Sequence, residues 1–465
     1  MKTKFLILTI LIAIFCGNVF GQDKMLSMDN TIDIVRKYHP IVKQAYLQNE
    51  IAKNELLSSK SVFDPSFQIS TDEKNYDNKL YYKYTSTELK IPIWYGIDLK
   101  AGTENNIGDR IDPTLTNNQS AFIGLSMDPF RGIIIDKRNS IVKQAKYFVE
   151  LTKNEQLIVV NDLLLDATNA YWNWANAFYN NAILKKSVQN NRERFEIIKR
   201  SYLSGDRASI DTTEALTQIQ TFEIMQAQSE MDLQKARLEL SNYFWTENGL
   251  PFELDEKIKP INNFDLSSIN TLELGKLEEL VNQAFQIHPK LKMIESKANI
   301  LDIEKRLKAI EFFPALKLNY NALENNFSNI YNSLNTTNNV KYGVTLQMPI
   351  FQRKVKGEIA KTKNKIEDLN WDKKYFTLEI ENKVKSSFVE FYALKQQIKK
   401  NEDILKANKL LFETENMKFQ MGESSLFIIN NRELKLIETE QKHIALKTKL
   451  FQSMYKNLWA IGKLQ

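Results

Sequence analysis

The sequence predicts a mainly α-helical fold with a β-barrel portion, built from a unit of helix, strands, long helix, turn and helix that occurs twice. The first observation behind this is a repeat in constant register. His39-Pro40 and Phe63-x-Pro65 return as His288-Pro289 and Phe312-x-Pro314, each 249 residues on. Tyr171, Phe195 and Tyr202-x-x-Gly205 return as Phe388, Phe412 and Phe419-x-x-Gly422, each 217 residues on. Self-similarity of this kind marks a duplicated structural unit. The drop between the two offsets leaves the first copy a net 32 residues longer between Pro65 and Tyr171. Second, 14 Gly and 10 Pro are few for 465 residues, as long uninterrupted helices require. Third, short segments of alternating apolar and polar residues lie between those helices.

The N-terminus comes first. Lys2 and Lys4 precede an apolar run over 5–15, and Val19 and Gly21 suit cleavage before Gln22. Residues 1–21 therefore read as a secretory signal peptide, too short for a transmembrane helix. A lipoprotein signal using Cys16 is disfavoured by the bulky Phe15 beside it. Cleavage leaves a chain without cysteine, hence without disulfides or thiolate metal sites.

The first repeat, 22–245, opens with a shorter helix over 29–59. Strand signals follow at Phe67-Gln68-Ile69-Ser70, over 80–90, at Ile97-Asp98-Leu99 and at Ile123-Gly124-Leu125-Ser126-Met127. The extra residues around 102–118 fit either a long loop or an added hairpin. From 136 to 202 there is neither proline nor glycine, and a helix of that length spans on the order of 100 Å. Its apolar residues form two seven-residue seams, Trp174, Asn181, Val188, Phe195, Tyr202 and Ala170, Ala177, Leu184, Asn191, Ile198. These stand as a and d positions do in a coiled coil. Leu203-Ser204-Gly205-Asp206 ends the helix at a glycine, and a returning helix runs from 211 to about 245.

A joint over 246–275, rich in Pro, Asn, Glu and Lys, leads to the second repeat, 276–465. A shorter helix over 276–310 precedes Leu316, Leu318, Tyr320 and Ala322, which alternate with polar residues. After the polar loop 324–339, Tyr342, Val344, Leu346 and Met348 do the same. The second long helix carries Phe391, Ile398, Leu405, Phe412 and Phe419 on one seam, with Asn401 and Asn408 on its partner. Polar seam residues set register at a cost in stability, and a water-lined tube tolerates them. Gln420-Met421-Gly422-Glu423 closes this helix, and the last helix returns over 426–459.

No run of about 18 apolar residues follows residue 22, so a place in a membrane demands a barrel. Period-two alternation suits a barrel strand between lipid and water, and equally a half-buried soluble sheet. The signal peptide and the flanking long helices favour the barrel.

Several function classes drop out. The formal charge of +6 is spread over mixed-sign helix faces, with no basic stripe interleaved with aromatics for nucleic acid. His39, His288 and His443 are scattered, and the first two sit at matching His-Pro turns, which points to backbone geometry and not to zinc. No nucleophile elbow, zinc-protease or phosphate-loop motif occurs. Carboxylates pair with Lys and Arg at helical spacing. The chain does not read as an enzyme, and no cofactor is expected.

The paired turns carry a resemblance. Tyr202-Leu203-Ser204-Gly205-Asp206-Arg207-Ala208-Ser209-Ile210-Asp211 and Phe419-Gln420-Met421-Gly422-Glu423-Ser424-Ser425-Leu426-Phe427-Ile428 are similar to the aromatic-x-x-Gly tips of the bacterial outer-membrane efflux protein (TolC) family. Met127-Asp128-Pro129-Phe130-Arg131-Gly132 and Leu346-Gln347-Met348-Pro349-Ile350-Phe351 resemble its strand exits into the long helices. The likeness covers essentially the whole mature chain. It implies a homotrimer in the outer membrane, each protomer giving about four strands to one barrel, with a coiled-coil tunnel through the periplasm. It also implies passive conduction for a periplasmic adaptor and an inner-membrane pump, in efflux or type I secretion. Tyr202, Gly205, Phe419 and Gly422 would then form the periplasmic tip that meets the adaptor. Asp211, Glu214, Glu423, Ile428 and Asn431 would flank the pore constriction. Relatives carry two aspartates where Ile428 and Asn431 stand, so that acidic ring is missing here. Asp211 matches a gating aspartate, but the tyrosine and arginine that partner it are replaced by Phe419 and Ser424. Charge at a helix N-terminus accounts for Asp211 and Glu214 equally well. The alternative is a periplasmic coiled-coil adaptor or scaffold, although adaptors have one hairpin where this chain has two. A secreted glycan-active or metal-dependent enzyme would need a convergent polar site, and none is apparent.

Overall fold

The computed structural model describes residues 25–261, 273–325 and 339–464. The expected signal peptide, part of the joint and most of the loop over 324–339 lie outside them. The first copy folds as β1 (Met25–Leu26), α1 (Met28–Tyr38), α2 (Pro40–Ser59), then β2 (Ser66–Tyr76), β3 (Lys79–Pro92), β4 (Ile97–Ile107) and β5 (Asn118–Met127). A short helix α3 (Pro129–Ile133) leads into the 67-residue α4 (Lys137–Leu203) and its return α5 (Ser209–Ser241). After β6 (Lys259–Pro260), the second copy gives α6 (Leu277–Ile287), α7 (Pro289–Ile310), β7 (Ala315–Glu324), β8 (Val340–Gln347), α8 (Arg353–Gln420) and α9 (Leu426–Ile461).

Each expected shorter helix is two helices, broken at its His-Pro pair. Proline lacks a donor and its ring collides with the carbonyl four residues back, while the residue before it is forced into extended backbone. His39 accordingly has ψ 134 and His288 ψ 122. The two repeats do not fold as two bodies. One compact unit draws on Met1–Ala45, Leu157–His288 and Glu379–Gln465, the other on Tyr46–Gln156 and Pro289–Leu378.

The second unit holds a curled antiparallel sheet in the order β2-β3-β4-β5-β7-β8. This sheet has six strands, four of them from the first copy, so the additional length of the first copy supplies two further strands. Asp77 and Asn78, both left-handed (φ 52 and 57), make the two-residue β2–β3 turn, a conformation that Asn and Asp accept and hairpin twist favours. At the other end Tyr95 and Gly96 turn the chain back (φ 61 and 70). The Arg138 guanidinium clamps that turn, donating to the carbonyls of Ile93 at 2.8 Å and Ile97 at 3.0 Å and to Asp98.

Cross-strand register sorts the side chains by chemistry, because directly opposite residues share a face. One row reads Phe67, Leu89, Ala101, Ile123, Ala322, Val340, and another Leu99, Leu125, Tyr320, Tyr342. On the opposite face a row reads Ser66, Lys90, Lys100, Gly124, Asn321, Lys341. The apolar face is open to its surroundings: Phe67 is 65% and Val344 65% exposed.

In the helical unit the predicted seams are largely interior. Trp174, Asn181, Val188, Ala170, Leu184, Asn191 and Ile198 are buried, as are Phe391, Ile398 and Phe419. Trp174 and Phe391 are repeat equivalents, and both sit in one aromatic core. There Trp172 stacks on Phe451 with centroids 4.3 Å apart, and the Tyr171 hydroxyl donates to the Leu26 carbonyl at 2.9 Å. Symmetry is not kept throughout: Val389, the counterpart of buried Trp172, is 64% exposed. The seam asparagines of α8 do not need a water-lined tube. Asn401 donates to the Thr439 carbonyl and Asn408 to its hydroxyl, at 3.4 and 2.8 Å, tying α8 to α9.

Candidate functional site

Two regions bear on function, the helix-hairpin tips in one unit and the sheet in the other. At the tips both glycines are left-handed, Gly205 at φ 87 and Gly422 at φ 80. Gly205 N–H donates to Tyr202 and Asp206 N–H to Ser201, and Gly422 and Glu423 repeat this to Phe419 and Lys418. This pair of hydrogen bonds satisfies carbonyls that a helix end otherwise leaves orphaned. The two matched aromatics differ in placement. Tyr202 is 43% exposed, whereas Phe419 is buried with Ile198, Ala215, Leu426 and Ile429. The Arg207 guanidinium lies 4.3 Å from the centre of the Phe419 ring and pairs with Asp211 at 3.7 Å. Ser424 donates to Glu415. Glu423, Ile428 and Asn431 are exposed, and the Asn431 amide donates back to the Phe427 carbonyl. Leu203, Ile210, Met421 and Phe427 present apolar surface around the turns.

Glu214 belongs to a network that sequence reading missed. Its carboxylate accepts from the Asn430 amide at 3.4 Å. Arg194 of α4 pairs with Glu433 of α9 at 2.7 Å, and Asn191 donates to the same carboxylate at 3.1 Å. The side chains of Arg194 and Glu433 are only 12% and 5% exposed. This polar layer lies between the apolar cluster at the tip and a second one of Leu184, Val188, Phe222 and Ile437. The visible signal was Asn191 on a seam; Arg194 and Glu433 look in sequence like surface charge.

Buried His39 accepts from the Ile41 N–H at Nδ1, 3.2 Å away, and burial lowers its pKa. His443 is buried on α9, and burial, helped by Lys447, lowers its pKa to about 4. Among the described residues no group of three or more His, Cys, Asp or Glu is placed to hold a metal ion.

In the sheet unit the polar face bears paired charges. Lys90 meets Asp98 at 3.1 Å, Lys100 meets Glu88 at 3.7 Å, and Arg138 joins Asp98. Exposed Trp94, Tyr95, Phe130, Phe313 and Phe351 lie at strand ends that connect to turns and helices. One apolar face, one charged face and aromatics at an end are what a wall between hydrocarbon and water requires. No helix among the described residues is long and apolar enough to cross a membrane.

No protein-family model matches the chain, and no curated protein matches it. Solved structures do match. The CmeC outer membrane channel of Campylobacter jejuni is 12% identical at a TM-score of 0.64, over 94% of this chain and 85% of that one. The outer membrane protein VceC from Vibrio cholerae is 11% identical at 0.63, over 94% and 96%. The open-state MtrE outer membrane channel of Neisseria gonorrhoeae is 11% identical at 0.66, over 94% and 89%. Identities this low speak to fold, and nearly full coverage of both chains means the whole architecture is shared. The resemblance carried by the paired turns is thus borne out, and this protein has the fold of TolC-type outer-membrane channels.

Proposed function

We propose that this protein is the outer-membrane channel of a tripartite efflux or type I secretion system, conducting passively what an inner-membrane pump and a periplasmic adaptor deliver. The observation that supports this most is the register of the sheet. Rows of apolar residues cross all six strands on one face, from Phe67 to Val340, with Ser, Lys and Asn in the row on the other, while β2 and β8 each have one strand partner among the described residues. Unpaired strand edges in hydrocarbon leave backbone groups unsatisfied, so such a sheet must close with other copies. In this reading three protomers close the barrel around a threefold axis through head-to-tail contacts. The helices extend into the periplasm. The apolar rim of Leu203, Ile210, Met421 and Phe427 docks the adaptor, with Tyr202, Gly205 and Gly422 at the same turns.

Protein extracted from outer membranes in detergent should run as a trimer on native mass spectrometry and conduct ions in planar bilayers. A monomer that stays soluble without detergent overturns the reading.

A further inference from the structure

The proposal of a trimeric channel leaves open which strands form its wall, and the β2–β3 hairpin at the edge of the sheet bears on that. Resting on that reading, we infer that all six strands enter the wall, so that three copies close an eighteen-stranded barrel by pairing the free edge of β8 on one copy with the free edge of β2 on the next.

The half of the β2–β3 hairpin next to the helices has the pattern of a wall and not of a flap above the membrane, before Glu73 and Lys83 pair on the same face nearer its tip. Phe67 and Ile69 extend the apolar face, at 65% and 63% exposure, and Ser66 and Gln68 extend the polar one. Pairing of β3 with β4 is unbroken from Pro92 and Asp98 to Lys83 and Ile107. Folding the hairpin away would break that ladder. Depth agrees. The β3–β4 turn lies at the end where the strands meet the helices: the Tyr95 N–H is held by Asp136 at 3.1 Å, and the Gly132 backbone packs against Gly96. A Cβ on Gly132 would collide with the Tyr95 carbonyl. The exposed Trp94 and Tyr95 of this turn belong with the aromatic side chains that flank a barrel's apolar band.

Direction also permits closure. Six strands that alternate in direction put β2 and β8 antiparallel, so the edge of one copy matches the edge of the next. With strands about 4.8 Å apart and tilted by roughly 40°, eighteen strands give a barrel about 36 Å across the backbone, against about 24 Å for twelve. The exit through the membrane is therefore wider by about half, lined by Lys, Glu, Asn and Ser, and suits bulky polar cargo.

Cysteine pairs test the seam, since the chain's one cysteine, Cys16, lies in the expected signal peptide. Gln68→Cys or Ser70→Cys on β2, and Glu104→Cys on β4, are each combined with Lys341→Cys or Thr345→Cys on β8. Trimer purified from outer membranes is treated with a short bis-maleimide and run on denaturing gels. Conversion of most of the monomer band to linked dimer and trimer by the β2–β8 pairs, with the β4–β8 pairs unlinked, is expected. Linkage through β4, or an intact trimer in which no β2–β8 pair links, overturns the eighteen-stranded wall and leaves the channel reading standing. Absence of any trimer on native mass spectrometry overturns both.

Discussion

Arg194 and Glu433 are the residues whose role depends most on where they sit. A charge pair with side chains 12% and 5% exposed has shed most of its hydration. Such a pair adds little net stability, yet removing one partner strands the other without compensation. Arg194→Met alone should therefore cost about 3–5 kcal/mol, read as earlier thermal unfolding in detergent. Adding Glu433→Leu should recover most of that loss. If the double variant unfolds as early as the single one, the layer does more than pair two charges. His443 carries a pH dependence whose sign follows from its environment. Its folded pKa of about 4 lies below the ordinary 6.5, so the folded protein prefers the neutral ring and the unfolded chain takes up the proton first. That contribution is complete above pH 6.5 and is lost as pH falls from 6.5 towards 4. His443→Leu should flatten the fall in unfolding temperature across that window.

At the level of elements, most helices and strands were legible. The glycine- and proline-free run over 136–202 became α4 (Lys137–Leu203), and every alternating segment became a strand. The His-Pro pairs, read as turns from their prolines, are true helix ends at His39 and His288, although one shorter helix was expected to run across each. The polar face of the sheet gives a paired test of curvature. A Cβ on Gly124 would strike the Asn321 side chain and the Tyr320 carbonyl, whereas one on Gly343, on the same face, meets nothing within 4 Å. Gly124→Ala should cost about 1–3 kcal/mol of strain and reduce the yield of the proposed trimer on gels. Gly343→Ala should leave it unchanged. Equal yields from the two would mean that curvature at β5 is not constrained by that contact.

For the whole molecule, the proposed channel has a testable electrical signature. The resemblance of the turns implies that Ile428 and Asn431 take the place of an acidic ring, and both are exposed on the first turns of α9. Three symmetry-related carboxylates at a narrow point concentrate cations, and their absence removes that field. Wild-type channels should show weak cation selectivity and weak block by trivalent cations. The Ile428→Asp, Asn431→Asp double variant should gain both, as reversal potential and block in planar bilayers. Strong wild-type block that the added aspartates leave unchanged would place the constriction elsewhere, with Asp211 and Glu423 the next carboxylates to replace. The duplication, the seams, the glycine tips and the alternating strands could all be read from residue order, because each depends on local backbone preference or on a periodic pattern. Three-dimensional packing alone revealed that the two repeats interleave into shared units, that the first copy's surplus adds two strands to one sheet, and that Asn191, Arg194 and Glu433 meet. Those outcomes rest on contacts between residues up to 428 positions apart, and no local propensity encodes which distant partner a buried charge or a strand edge will find.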